Sequence, residues 1–368
     1  MYQVVAITLD PALLSLLKHY CQQDDQSWQL RSFPTDGSYL TAPRNDDAID
    51  LLFFDATGII AGLEEKRLVC FMAPLALRVV VTEPQHEDVI LNHLEHFHSF
   101  VGHDLSYDHL QQLFANAARL SMLPLQESER RLIGRLTEYP VFPSICQELR
   151  ELLKDPQVEL VRVTSLVSRD PLIVSRLLQL VNSPYMGFAS ETWSLHTAIN
   201  RLGFQMLQTL VLMLSIKARQ AELGHADHES VLDAILADAG RCRQLALSCG
   251  YPRTMQDQVF ITAILSGFGK LVLLQNGFEL CDPALQEQSS GEGLTYLAVS
   301  AFVMTLWGFE AEVVQAILQQ QQWQDGSAPS QKVSRCLYLA RLQKLQLLTA
   351  LPDAEKKQIR AAGFASVI

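Results

Sequence analysis

Histidine runs out early in this chain. Seven of its ten histidines lie within the first 125 residues, the last is His228, and none follows it. Cysteine is sparse and unpaired in pattern: seven residues, at 21, 70, 146, 242, 249, 281 and 336, form no CxxC. An odd count without that spacing excludes a disulfide frame and a structural zinc cluster, and leaves thiols in a reducing compartment. Long apolar runs are missing too. The strongest, Met206 to Ile216, falls short of the ~18 to 20 residues a membrane span needs. The first residues, MYQVVAITLDP, lack the basic, apolar and small-residue order of a signal peptide. A cytoplasmic protein without membrane attachment is expected. Finally, there is no basic excess. Residues 1–125 carry 7 Lys and Arg against 16 Asp and Glu, and residues 126–368 carry 22 against 24, for a net charge of −11. An acidic first part repels phosphate backbones, which disfavours direct nucleic-acid binding. The pairs Lys332/Arg335 and Arg341/Lys344 recur at helical spacing and read as a solvated helix face.

What is present divides the chain in two. A length of 368 residues fits two domains, and 48% hydrophobic residues suffice for two cores. Over residues 1–120, β-rich runs at Val4–Leu9, Trp28–Phe33, Asp50–Phe54, Leu77–Thr82 and Phe100–Val101 alternate with helical patterns at Pro11–Cys21, His86–Phe97 and Tyr107–Leu120. That order predicts a doubly wound, five-stranded parallel sheet covered on both faces. Reactive groups in such sheets gather at the carboxyl ends of the strands, where Asp55 and Thr82 fall.

This layout resembles the receiver domain of bacterial response regulators. The resemblance makes Asp55 the phosphoacceptor-like residue, with Thr82 and Asp10 as its remaining companions. Aspartyl phosphorylation needs a metal ion and a cation to offset phosphoryl charge. The two acids that would hold Mg²⁺ fall on Thr8 and Leu9, and the expected Lys falls on His103. A degenerate receiver, inactive as a phosphorylation switch, is the reading. His93, His96 and His98 read as an exposed face of the fourth helix rather than a metal pair, and His225 and His228 as residues of a polar loop. No metal or other cofactor is expected.

From a helical linker at 121–135 onward the pattern is helical throughout, which predicts an all-α second part. Three phrases stand out: Pro140-Val-Phe-Pro143; Asp170-Pro171-Leu172 with Asn182-Ser183-Pro184-Tyr185 after an apolar helix; and His196 to Gly203. Asp170 can cap a helix with Pro171 at its first position, Pro184 enforces a stop, and Gly203 lets one helix break and the next begin. In that order they resemble the HDOD domain, a helical relative of HD-type hydrolases, over 126–330, with a C-terminal helical extension at 331–368.

HD-type hydrolases gather His and Asp from several helices around metal ions that activate a water. In AILSGFGKLVLLQ, residues 263 to 275, Ser266 and Gly267 stand where the His-Asp pair belongs, while Gly269 and Lys270 remain. The other ligand positions fall on Ala234, Tyr296, Gln319 and Gln320. None offers an imidazole, and Gly267 offers no side chain at all. The resemblance therefore implies a protein that is not an enzyme. It would be a signal-transduction regulator or scaffold whose helical domain binds protein partners under a pseudo-receiver, with homodimerisation as a further option. The turn Asn182, Ser183, Pro184 and Tyr185 is the candidate partner surface. The alternatives are a nucleotide or cyclic-dinucleotide binding module that keeps the old pocket, and a phosphohydrolase with an unrecognised site.

Overall fold

Five short runs of β-branched, aromatic and leucine residues build the sheet. In this computed structural model, the residues described are 2–24, 27–42, 49–56, 68–69, 71–82, 96–134, 143–155, 157–183, 186, 188–204, 206–208, 210–211, 225–278, 294–365 and 367. The strands are β1 (Tyr2–Ile7), β2 (Trp28–Phe33), β3 (Leu51–Asp55), β4 (Leu77–Val81) and β5 (Ser99–Val101). All pairs are parallel, in the order β2-β1-β3-β4-β5. Every residue of β3, β4 and β5 is buried, as continuous apolar runs in a doubly covered sheet require. The strand order reverses between β1 and β3, the place where such sheets open a crevice at their carboxyl edge.

Helix α1 (Pro11–Gln23) follows β1 directly. Asp10 caps it, its Oδ1 accepting from the Ala12 amide at 2.8 Å, with Pro11 at the first turn. A short α2 (Asp36–Leu40), capped by Thr35, follows β2 and has no counterpart in the sequence pattern. Helix α3 (Tyr107–Met122), capped by Ser106, buries Leu110, Leu113 and Phe114. Phe114 meets Tyr20 of α1 and Trp28 of β2 at ring-centroid distances of 4.4 and 4.7 Å, an aromatic seam that anchors both helices on the sheet. The helical pattern at His86–Phe97 lies outside the described residues except at its end. There His96 and His98 are buried, which corrects the reading of an exposed histidine face.

The chain forms two compact units. The first contains 1–138 with 179–191 and 302–309; the second contains 139–178, 192–301 and 310–368. After α4 (Glu127–Gly134) come α5 (Pro143–Leu152), α6 (Leu160–Val167), α7 (Pro171–Val181), α8 (Leu195–Leu202), α9 (His225–Ser248), α10 (Arg253–Gln275), α11 (Tyr296–Leu306), α12 (Ala311–Gln319), α13 (Pro329–Lys344) and α14 (Asp353–Ile359). Asp170 is fully buried, and its Oδ1 accepts from the Leu172 and Ile173 amides at 2.8 and 3.1 Å. Gly203 ends α8 with φ +80°, a left-handed conformation that glycine adopts without penalty. His225 and His228 lie in the first turns of α9 rather than in a loop.

Helix α10 is the spine of the second unit. It is 23 residues long and apolar enough to cross a membrane, but 72% of its apolar window is buried within the protein. One hydrophobic cluster joins α9, α10 and α13 through Ala246, Val259, Ile264, Cys336, Leu337 and Leu339, with Phe364 beyond α14. The segment 331–368, set apart by the sequence pattern as an extension, thus shares this core.

Gly269 sets the closest approach in that unit. A Cβ there would lie 2.0 Å from the Tyr296 carbonyl oxygen. The Ser300 hydroxyl seals the contact, accepting from the Gly269 amide and donating to the Ser266 carbonyl, each at 2.8 Å. Gly240 on α9 has nothing within 4 Å of its would-be Cβ. Gly269→Ala is therefore expected to lower stability by about 3 kcal/mol or more through backbone overpacking, while Gly240→Ala gains up to about 1 kcal/mol from helix propensity. Urea unfolding of the two variants measures the contrast; equal effects would mean that α10 and α11 do not meet at this glycine.

Candidate functional site

Two places collect the polar residues that the sequence singles out. The first is the carboxyl edge of the sheet. Asp55 ends β3 and is 2% exposed. Thr8, just past β1, donates its hydroxyl to Asp55 Oδ2 at 2.6 Å and accepts from the Asp10 amide at 2.9 Å. His103 follows β5; its Nδ1 lies 3.0 Å from Asp10 Oδ2 and its Nε2 3.6 Å from Asp55 Oδ1. Thr8, Asp55, His103 and Asp10 therefore close a ring. Thr82 is buried beside this edge, and among the described residues its hydroxyl has no hydrogen-bond partner.

The ring decides what the edge can do. Where a receiver would place metal-binding acids, Thr8 points a hydroxyl proton at the central carboxylate, and Leu9 is exposed. Asp55 thus receives a donated hydrogen bond on one oxygen and faces an imidazole on the other. The bond from His103 holds the Asp10 carboxyl below its ordinary range, aided by the Ala12 and Leu13 amides and opposed by partial burial. An ionised Asp10 requires the proton on Nδ1 of His103.

The second place is a cavity of about 60 Å³ in the helical unit. Ser266, Gly267, Tyr296 and Gln320 all line it, so residues from α10, α11 and the end of α12 do converge. Ala234 and Gln319 do not line it; Ile235 and Gln320 face it instead. An α-helix turns by about 100° per residue, so a register error of one position moves a side chain off the cavity wall. The Ser266 hydroxyl donates to the Ala263 carbonyl at 2.9 Å, and the Gln320 amide to the Ile317 carbonyl at 2.8 Å. A Cβ at Gly267 would lie 2.6 Å from Ile235 Cγ1. Ile235 occupies the space in which an aspartate at 267 would stand. Among the described residues, no group of three or more His, Cys, Asp or Glu is placed to hold a metal ion.

Charge at this cavity comes from the motif residue Lys270 and from two residues that the sequence pattern placed on a solvated helix face. Lys270, Arg341 and Lys344 line it together with Asp238. Lys270 Nζ sits 4.4 Å from the centre of the Tyr296 ring, and Lys344 Nζ lies 2.9 Å from Asp238 Oδ2. The helix face read as solvated is thus partly inward. Arg335 on the same helix is buried, donates to the Gln324 carbonyl at 2.6 Å and stacks over Trp323. The remaining candidate turn is described only in part. Asn182 and Ser183 are half-buried, and the Ser183 hydroxyl donates to the Leu180 carbonyl at 2.7 Å. Pro184 and Tyr185, like Pro140, His93 and the segment 212–224, lie outside the described residues.

A parallel α/β unit thus precedes a helical unit that holds a small cavity of its own. The HDOD domain model matches residues 139–323, and the chain belongs to that family. Curated relatives overlap it only locally. An uncharacterised protein of Treponema pallidum (strain Nichols) is 32% identical over 80 residues, which are 22% of this chain and 16% of that protein. The uncharacterised protein YuxH of Bacillus subtilis (strain 168) is 29% identical over 126 residues, 34% of this chain and 30% of YuxH. The chain thus spans less than a third of either relative. Among solved structures, the MmoQ response regulator of Methylococcus capsulatus is 20% identical, with 61% of this chain and 93% of that one covered and a TM-score of 0.47. A virulence factor of Campylobacter jejuni is 17% identical, with 61% and 95% covered and a TM-score of 0.41.

The sheet edge makes a pH-dependent prediction. Removing the helix cap in Asp10→Ala is expected to cost about 1 kcal/mol. Asp10→Asn keeps a capping oxygen but loses the charge paired with His103. A carboxylate whose folded pKa is lowered stabilises the fold above its unfolded pKa and loses that contribution as pH falls through the folded value. Urea midpoints of the wild type and Asp10→Asn should therefore differ at pH 7 and converge below about pH 4. A gap that persists undiminished in acid would mean that the ionised Asp10–His103 contact contributes nothing.

Proposed function

We propose that this chain is a non-catalytic signal-transduction scaffold of the cytoplasm, in which the HDOD domain binds protein partners and the α/β unit serves as a pseudo-receiver. One observation carries the reading. Of the residues expected at HD ligand positions, Ser266, Gly267, Tyr296 and Gln320 line one cavity; the Ser266 hydroxyl and the Gln320 amide donate to helix carbonyls, and Ile235 fills the space beside Gly267. Metal-assisted attack on phosphorus needs several hard or borderline donors aimed at one point. Hydroxyl and amide groups already satisfied by backbone are poor substitutes.

The pseudo-receiver part rests on the ring at the sheet edge. Adding a phosphoryl group to Asp55 would displace the Thr8 hydroxyl and bring negative charge beside Asp10. A magnesium ion would then have only Asp10, besides Asp55 itself, where a receiver supplies two acids after its first strand. The turn at Asn182, Ser183, Pro184 and Tyr185 is the proposed partner surface, with the aromatic Tyr185 as its anchor.

Two measurements test this function. Purified full-length chain is expected to carry no stoichiometric transition metal and to leave cyclic dinucleotides and phosphomonoesters intact. About one metal ion per chain, lost on changing Ser266 or Gln320 to Ala, would refute the non-catalytic reading. Separately, incubation with acetyl phosphate and Mg²⁺ should leave the intact mass unchanged. A stable gain of one phosphoryl group that disappears in Asp55→Asn would instead make the α/β unit a working receiver.

A further inference from the structure

Helix α13 ends at Lys344 without a residue that stops a helix. From Ser330 to Leu351 the chain holds no glycine, asparagine or proline, and the first breaker is Pro352. The end is made instead by a turn. In it the Leu345 amide donates to the Arg341 carbonyl and the Leu347 amide to the Leu342 carbonyl, each at 3.0 Å. That closure puts Gln346 at φ +57°, and among the described residues it is the one non-glycine with a positive φ. A closing turn of this kind normally takes glycine, because a Cβ there crowds a carbonyl oxygen. Residues 344–347, 349 and 350 are exposed, so little core packing at the turn itself holds the strain. What holds it is the segment beyond.

That segment lies in a groove of the same unit. Helix α14 and the turn Arg360–Phe364 bury Ile359 and Phe364 completely. The Phe364 ring meets Tyr251 and Trp323 edge-on, each at a centroid distance of 6.4 Å. Polar contacts close the rim. The Tyr338 hydroxyl donates to Glu355 Oε1 at 2.6 Å, and the Gln358 amide to Asp325 Oδ2 at 3.0 Å. The Cys249 thiol donates to the Gly363 carbonyl at 3.5 Å. Each of these groove residues precedes Leu345 in the chain, so the hinge at 345–352 alone ties segment to groove.

We propose that residues 353–367 form an exchangeable arm, and that the groove accepts the same arm from a second copy of this chain. When α13 runs on through Leu351, the added turns at about 1.5 Å per residue carry the arm about 10 Å from its own groove. Gln346 then returns to a helical φ, and its strain is released. In a lone chain this leaves Ile359 and Phe364 in water, so the arm folds back. A second copy offers a groove of the same shape and rim, and reciprocal exchange restores every contact while keeping the longer helix. The cost that remains is the freedom lost on association, which makes the equilibrium depend on concentration. The pairing goes beyond the scaffold reading and does not depend on it. Both α13 and the arm lie past the 139–323 family match.

Analytical ultracentrifugation of the full chain, equilibrated across the micromolar range, tests the exchange. A monomer–dimer equilibrium is expected. Gln346→Gly relieves the folded-back turn and weakens the longer helix, so it should favour the monomer. Gln346→Ile makes a positive φ costlier and should favour the dimer. A dimer has two hinges; at about tenfold for each, its dissociation constant should move about a hundredfold, in opposite directions for the two variants. Photo-cross-linking then places the arm. Isotope-labelled wild type is equilibrated with unlabelled chain carrying benzoylphenylalanine in place of Gln358, and the mixture is irradiated. Cross-links from position 358 to the Trp323–Asp325 peptide of the labelled chain are expected. A wild type that stays monomeric at every concentration overturns the inference. So does a dimer whose dissociation constant is the same in Gln346→Gly, or one in which position 358 links only to its own chain. The glycine variant and the cross-link keep the test decisive where the isoleucine variant fails to fold.

Discussion

The second unit depends on one contact in which backbone meets backbone. Gly269 on α10 lies so near the Tyr296 carbonyl that no side chain fits, and the Ser300 hydroxyl ties the Gly269 amide to the Ser266 carbonyl. That approach sets the spacing between α10 and α11 and brings Tyr296 under Lys270. Gly269 thus serves helix packing, and Lys270 packs its ammonium against the Tyr296 ring. Ile235 then fills the adjacent space against Gly267.

At the sheet edge the constraint is electrostatic. Asp10 and Asp55 lie at one edge of the sheet, with the His103 imidazole between them and the Thr8 hydroxyl donating to Asp55. The same groups cap α1 and connect the loops after β1, β3 and β5. Thr8, Asp10, Asp55 and His103 form a closed set of contacts that joins the ends of β1, β3 and β5.

Much of this was legible in residue order. The alternation of apolar runs with helical patterns over 1–120 predicted the parallel sheet, because buried parallel strands need continuous apolar runs and crossover helices. The five strands appear within two residues of their expected ends, and Asp10, Asp55 and His103 reach one edge because their strands are parallel and in register. Periodicity was weaker where chemistry depends on helix rotation. Ala234 and Gln319 do not line the cavity while Ile235 and Gln320 do, and nothing local distinguishes a helical side chain from its neighbour about 100° away. His96 and His98 were misread as exposed because their burial comes from contacts distant in sequence.

Residue order alone, then, determined that the chain has an α/β part and a helical part, that its second part resembles HDOD domains, and that no histidine follows His228. Those conclusions need only composition, spacing and the side-chain chemistry each position offers. Tertiary structure alone decided which residues face the cavity, that Ile235 stands against Gly267, and that Lys344 pairs with Asp238. The physical reason is that a charged helix face has no intrinsic direction. Whether it meets solvent or a pocket depends on how α13 packs on α9 and α10, and that packing is set by apolar residues on the helix's other faces, tens of positions from the groups it brings together.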